Sequence, residues 1–329
     1  MPTWRGSESG DREAALKHDD VEPGIRRFQQ QTTADYQRLS GGSYRDLAHR
    51  RDVAERVRVP WVEGGPAMAS TENLRVGEHS LRIRIHRPQT AAALPALVYL
   101  HGGGWVLFSI DTHDRLMREY AARSGCAVIG IDYRLAPETR YPDALEDIAA
   151  AIDWVREHGP EYGIDPARLA IGGDSAGANL AIATALRLRD RGDGHVLSGM
   201  ILNYGVYDRE THPSYARYGG PEYMLTADEM AEFWHDYLGD AATGEDPLVR
   251  PMLADAAGLP PAFMCIAECD ILADENRAMA ARLAAAGVAV EAPIYAGATH
   301  SFLEAVSVSP LASRALDDAA AWLRARLQP

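Results

Sequence analysis

Short, uniformly apolar runs separated by stretches of helical character recur through most of this chain. The runs are Ala96 to Leu100, Ala127 to Ile131, Leu169 to Gly172, Gly199 to Leu202 and Ala262 to Ala267. A strand with one wet face would alternate apolar and polar residues. Runs without alternation suit strands buried on both faces. Helical spacing of apolar residues fills the intervals 111–123, 144–157 and 176–189. Alternation of buried strand and helix predicts the α/β class: a mostly parallel central sheet flanked by helices. His79 to Arg87 does alternate, as a half-buried strand does. Further on, the pattern predicts a helix over 276–286, a strand over 288–295 and a last helix over 312–327.

The alternation lapses twice. Residues 1–65 are polar and helix-prone, with a weak apolar stripe at Ile25, Phe28 and Leu39, and predict one or two helices with a frayed start. Within them Arg50 to Arg58 is dense in charge and reads as a solvated helix end. Gly64-Gly65-Pro66 marks a boundary. Residues 206–245, rich in Tyr, Asp and Gly, read as an insertion carrying a helix over 227–238. The α/β body is thus 66–205 and 246–329. A length of 329 residues suits one large domain with such additions.

Composition narrows the partners. The formal net charge of −14 disfavours nucleic acid and anionic membrane as binding surfaces. Cys126, Cys265 and Cys269 have no paired spacing and read as core thiols. The sequence opens without a basic segment leading into an apolar one, and no apolar run approaches membrane-spanning length; the expected location is cytoplasmic. Asp111, His113 and Asp114 resemble a metal cluster in composition, but a helix N-terminus explains them, so no metal is expected. No cofactor motif stands out. A homodimer is compatible with the sequence.

The chemistry is concentrated at Gly173-Asp174-Ser175-Ala176-Gly177, between an apolar strand and an Ala-rich helix. A serine hydroxyl that must project into a cleft needs a sharp strand-to-helix turn. Such a turn crowds the positions two before and two after, so both must be nearly free of side chain. Gly173 and Gly177 meet that demand. The helix N-terminus also favours a developing anion beside Ser175. His101-Gly102-Gly103-Gly104-Trp105 follows the strand at 96–100, and its glycines allow backbone N–H groups to turn toward an oxyanion. Gly103 and Gly104, with Ala176, are the expected donors. Phosphate cradling needs a Lys-Ser/Thr pair or a G-x-G-x-x-G spacing, and neither is present.

A base and its orienting acid should follow the nucleophile in the order acid, then His. His300 alone among eleven histidines sits on a short loop after the last buried strand; His195, His212 and His235 fall elsewhere. Asp270 stands just past the preceding strand. Asp274 and Glu275 lie further into a helix start, where carboxylates serve the macrodipole. The expected roles are Ser175 as nucleophile, His300 as base and Asp270 as orienter.

Taken together, HGGGW at 101–105, DYRLAPE at 132–138, GDSAG at 173–177, ECDILADE at 268–275 and HSF at 300–302 resemble the hormone-sensitive-lipase family of esterases. The resemblance spans residue 66 to the C-terminus, and the GDSAG form is similar to the bacterial short-chain branch. It implies an α/β-hydrolase fold, the triad Ser175, Asp270 and His300, an oxyanion hole from Gly103, Gly104 and Ala176, and a helical cap built from 1–65 and 206–245. It implies a small-molecule ester substrate. Two departures stand out: Ser301 occupies a position where the family usually has glycine, and Cys269-Asp270-Ile271 replaces the common Asp-Pro. Trp105, Tyr204 and Tyr207 are expected in the substrate pocket, with Tyr215, Tyr218, Tyr223 and Phe233 as further aromatics near the insertion. Amide hydrolysis by the same triad is the alternative, since arylformamidases are similar through a related HGG-x-W loop and N-acetyl deacetylation is equally open to this chemistry. A non-catalytic binding protein of this fold would lack His300.

Overall fold

The computed structural model describes residues 20–90, 93–240 and 244–327. The first nineteen residues of the N-terminal segment, and its expected frayed start, lie outside the described residues. A sheet of nine strands forms the body. Its strands are β1 (Ser70–Val76), β2 (Leu81–Arg87), β3 (Leu94–Leu100), β4 (Ala127–Asp132), β5 (Ile164–Asp174), β6 (Leu197–Asn203), β7 (Ala262–Cys269), β8 (Val290–Glu291) and β9 (Ile294–Thr299). The order is β1-β2-β4-β3-β5-β6-β7-β8, with β9 also on β7. Only β1 with β2 and β2 with β4 pair antiparallel. The class read from the sequence is the class observed.

The central parallel strands β3, β4, β6 and β7 are largely apolar because helices cover both faces. Every residue of β3 is buried. The helices α3 (Asp114–Ser124), α4 (Asp143–His158), α5 (Ala176–Asp190), α8 (Ala273–Ala285) and α9 (Pro310–Leu327) flank the sheet. Two buried cores result: one holds Ile129, Ile152, Leu180 and Leu202, and the other Leu97, Tyr120, Ile201 and Leu323. Helices α1 (Pro23–Ser40) and α2 (Leu47–Val62) precede the sheet, and α6 (Pro213–Tyr218) and α7 (Ala227–Leu238) interrupt it between β6 and β7.

Three expectations need correction. Strand β1 was not anticipated: its outer positions are exposed or half-buried, and Ser70, Thr71, Glu72 and Asn73 give it the composition of a loop. The strand expected over 288–295 is two, because Pro293 has no N–H for the ladder; β8 pairs with Ala262 and Phe263, and β9 with Ile266 and Ala267. Arg50 to Arg58 is not a solvated end. It lies inside α2, and Arg58 is buried.

Strand register brings the distant motifs together. Leu100 of β3 is opposite Gly173 of β5, so the segment after each strand, 101–104 and 174–176, leaves the sheet side by side. Cys269 of β7 is opposite Thr299 of β9, so Asp270 and His300 emerge as neighbours. Parallel strands all present their C-terminal ends at one edge, and that edge carries the site.

Candidate active site

Ser175 sits at φ +53, ψ −119, a conformation L-residues rarely adopt, between β5 and the first turn of α5. Such backbone strain persists only where surrounding packing enforces it. A Cβ on Gly173 would lie 2.4 Å from the Leu100 carbonyl oxygen, and one on Gly177 2.0 Å from that same oxygen. Both glycines are therefore required by the close approach of β3 to the turn.

His300 Nε2 is 2.9 Å from Ser175 Oγ, and His300 Nδ1 is 2.7 Å from Asp270 Oδ2. All three side chains are buried. Asp270 Oδ1 accepts the Leu272 N–H at 3.0 Å, which fixes the carboxylate plane. Burial disfavours the imidazolium, but the charge of Asp270 and its hydrogen bond outweigh burial and raise the His300 pKa above the ordinary histidine value. The rival carboxylates are occupied elsewhere. Asp274 accepts the Ser214 N–H and pairs with Arg217 and Arg277. Glu275 is buried and accepts the Tyr207 N–H; burial raises its pKa well above the carboxylate range. Ser301 adopts φ +59, the left-handed conformation that glycine supplies more cheaply. The departure from the family pattern leaves the His300 geometry intact.

Across from the histidine, Gly103 (φ +106) and Gly104 (φ +61) curl the chain after β3. Among the described residues, the backbone N–H groups of Gly103, Gly104 and Ala176 donate to no protein acceptor. Leu107 N–H closes the loop onto the Gly103 carbonyl at 2.9 Å. Beneath it, the Tyr133 hydroxyl donates to the His101 carbonyl at 2.8 Å, and the two rings stack at 4.4 Å. Burial, with the nearby charge of His113, lowers the His101 pKa to about 4, so this imidazole stays neutral. Asp174 accepts Tyr99 Oη at 2.8 Å and lies 3.3 Å from His113 Nε2, which anchors the turn from below. Asp111 and Asp114 pair with Arg82, Arg84 and Arg118. Glu138 holds Arg51 of α2, whose guanidinium also donates to the Val106 and Ala136 carbonyls.

The cleft above Ser175 is a cavity of about 300 Å³. Its floor is Gly103, Gly104, Ser175 and His300. Its walls include Leu107 and Phe108 after the glycine loop, Tyr36 and Arg58 from α1 and α2, and Met224, Met230 and Phe233 from the insertion. Trp105, Tyr204 and Tyr207, expected in the pocket, do not line this cavity. Trp105 has φ +61, which turns its indole away to stack on Tyr237 at 4.4 Å and against Trp234 at 4.6 Å. Tyr204 lies behind His300, edge to face at 5.2 Å. Tyr207 is fully buried and belongs to the sheet core. The wall residues of α1 and α2 escaped sequence reading because the weak apolar stripe of 1–65 carried no chemistry. Met230 and Phe233 sit at helical spacing on α7 and offered the only usable signal.

A model of the α/β-hydrolase fold matches residues 97–304, more than half of the chain. The chain belongs to this family, in its hormone-sensitive-lipase branch. Among solved structures it is similar to the hyperthermophilic esterase from the archaeon Pyrobaculum calidifontis, with 34% identity and a TM-score of 0.85 over 93% of this chain and 98% of that one. EstE1, a thermophilic and thermostable carboxylesterase from a metagenomic library, gives 35% and 0.84 over 86% and 98%. A thermostable esterase from Pseudomonas putida gives 31% and 0.83 over 99% and 100%.

Proposed function

We propose that this chain is a serine carboxylesterase acting on small, short-acyl esters, with Ser175 as nucleophile, His300 as general base and acid, and Asp270 as orienter. The observation that carries the reading is the unbroken relay Ser175–His300–Asp270 at 2.9 and 2.7 Å, set beside three unengaged N–H groups. His300 takes the Ser175 proton as Oγ attacks the ester carbonyl. The carbonyl oxygen becomes an oxyanion, and the N–H groups of Gly103, Gly104 and Ala176 receive it. Collapse expels the alcohol, which leaves with the proton from His300, and an acyl-enzyme remains. Water, deprotonated by His300, then releases the acid. Asp270 keeps the imidazole in the right tautomer and stabilises its cation.

Helices α1, α2, α6 and α7 form the cap, and it sets selectivity. A cavity of about 300 Å³ stands at the low end of small-molecule sites. Each methylene that finds room adds about 0.8 kcal/mol of burial, so activity first rises with chain length. It falls once added carbons meet Phe233 and Met230, because overpacking costs about 1–3 kcal/mol. The optimum lies at about two to six acyl carbons. Three buried free thiols suit a reducing, cytoplasmic setting. Among the described residues, no helix is long and apolar enough to cross a membrane. The test is kcat/KM for p-nitrophenyl acetate through palmitate below the critical micelle concentration, with an aryl amide alongside. A maximum at dodecanoate or longer, interfacial activation, or a preference for the amide would overturn the reading.

A further inference from the structure

Arg58 sits on α2, outside the triad and the oxyanion loop, yet its side chain touches the surroundings of both. Its Nε donates to Glu304 Oε2 at 2.5 Å and a terminal nitrogen donates to Glu304 Oε1 at 3.4 Å. Glu304 belongs to the short 3-10 turn Phe302–Ser307, separated from His300 by Ser301 alone, and its N–H bonds the Ser301 carbonyl. The same guanidinium lies 4.6 Å from the centre of the Phe108 ring. Phe108 in turn presses on the oxyanion loop: a Cβ on Gly103 would lie 2.7 Å from its ring. Phe108 itself is held at φ +72, so the loop's end is strained and depends on packing.

Both members of the ion pair are almost fully buried, with side chains 4% and 5% exposed. A buried ion pair is a poor route to stability, because apolar residues of similar size usually do as well. A planar guanidinium can bond a carboxylate through its edge while stacking an aromatic ring on its face, and no aliphatic side chain can do both. We propose that Arg58 is a positioning residue that clamps the oxyanion loop, through Phe108, to the histidine-bearing segment, through Glu304. The proposal rests on the ester-hydrolase reading. It gives α2 a part in catalysis distinct from walling the pocket, since donors must be aimed before the oxyanion forms.

The test compares the full chain with Arg58→Met and Arg58→Lys, using p-nitrophenyl butyrate and a reversible alkyl trifluoromethyl ketone. That ketone adds to the serine and places an oxyanion in the hole. Arg58→Met, checked for fold by circular dichroism, should lower kcat about tenfold or more with KM within about threefold. The ketone's inhibition constant should rise in step with the loss in kcat/KM. Arg58→Lys keeps the charge and loses the plane, and should show the same parallel loss at smaller size. A merely structural arginine would lower the melting temperature and leave kcat and the inhibition constant of the folded variant at wild-type values; that result overturns the clamp. If Arg58→Met does not fold, Arg58→Lys decides by the same two readings. Absence of ester turnover in the wild-type protein would refute the functional reading instead.

Discussion

The sheet edge and the cap meet across one cavity but owe their geometry to different causes. At the sheet edge, each side chain of the proposed triad is placed by backbone next to it in sequence. Ser175 follows β5, Asp270 follows β7 and His300 follows β9, and parallel register does the rest. In the cap, the wall is assembled from side chains on three helices, α1, α2 and α7, and the loop before α7, which come from two separate stretches of chain. Phe233 reaches the floor so closely that a Cβ on Gly104 would lie 2.2 Å from its ring. Chemistry is thus fixed by local backbone, while selectivity is fixed by tertiary packing. Substitutions at the edge should change rate, and substitutions at cap residues that only line the cavity should change preference; Arg58, which bonds the histidine-bearing segment through Glu304, is the cap residue expected to change rate.

The largest effect belongs to the edge. Ser175→Ala should keep the fold and lose at least about a thousandfold in kcat, leaving only binding and oxyanion stabilisation. Asp270→Asn should come next, with kcat lower by about two to four orders of magnitude and KM little changed. It should also move the acid limb of kcat/KM to lower pH. His300 must be neutral to act as base, and Asp270 is what raises its pKa. Asp274→Asn should do neither; a crippled Asp274→Asn with a mild Asp270→Asn would reverse the assignment.

Where the two regions touch, the effects should combine. Gly104→Ala should lower kcat about a hundredfold, because the new methyl meets Phe233 and the φ of +61 is strained for alanine. Adding Phe233→Ala removes the clash and should restore part of the rate. No recovery in the double variant would mean that the cap does not bear on the loop.

Phe233→Ala alone should produce a smaller change of a different kind. The acyl-chain optimum should move to longer chains, with kcat on the best ester within severalfold of wild type. Trp105→Leu sharpens the contrast. The indole is buried against Tyr237 and Trp234 and off the cavity, so the variant should lose about 2–4 kcal/mol of stability, read as a lower unfolding midpoint. Its chain-length profile should match wild type.

The same contrast governs what the sequence discloses. Apolar runs disclosed β3 to β7 because strands buried on both faces permit little else. GDSAG and HGGGW were legible because their backbone conformations admit only certain residues, glycine above all. That His300 and Asp270 would stand together beside Ser175 was legible by order along the chain. Trp105 was misread because motif position does not reveal which way a side chain turns at positive φ. Tyr204 and Tyr207 were misread because aromatic residues near a site also serve as its packing. Arg58 was misread because a run rich in charge looks solvated until a partner such as Glu304, remote in sequence, is brought beside it. Features that rest on contacts between distant segments leave no local mark.

The central claim is that Ser175 is the nucleophile of an ester hydrolase, and covalent capture tests it most directly. The wild-type protein would be treated with a dialkyl p-nitrophenyl phosphate until ester activity is lost, then digested and mapped by mass spectrometry. The account predicts one dialkylphosphoryl group per chain, on Ser175, gained in proportion to the activity lost and absent from Ser175→Ala. Complete inactivation with the adduct on any other residue would contradict it.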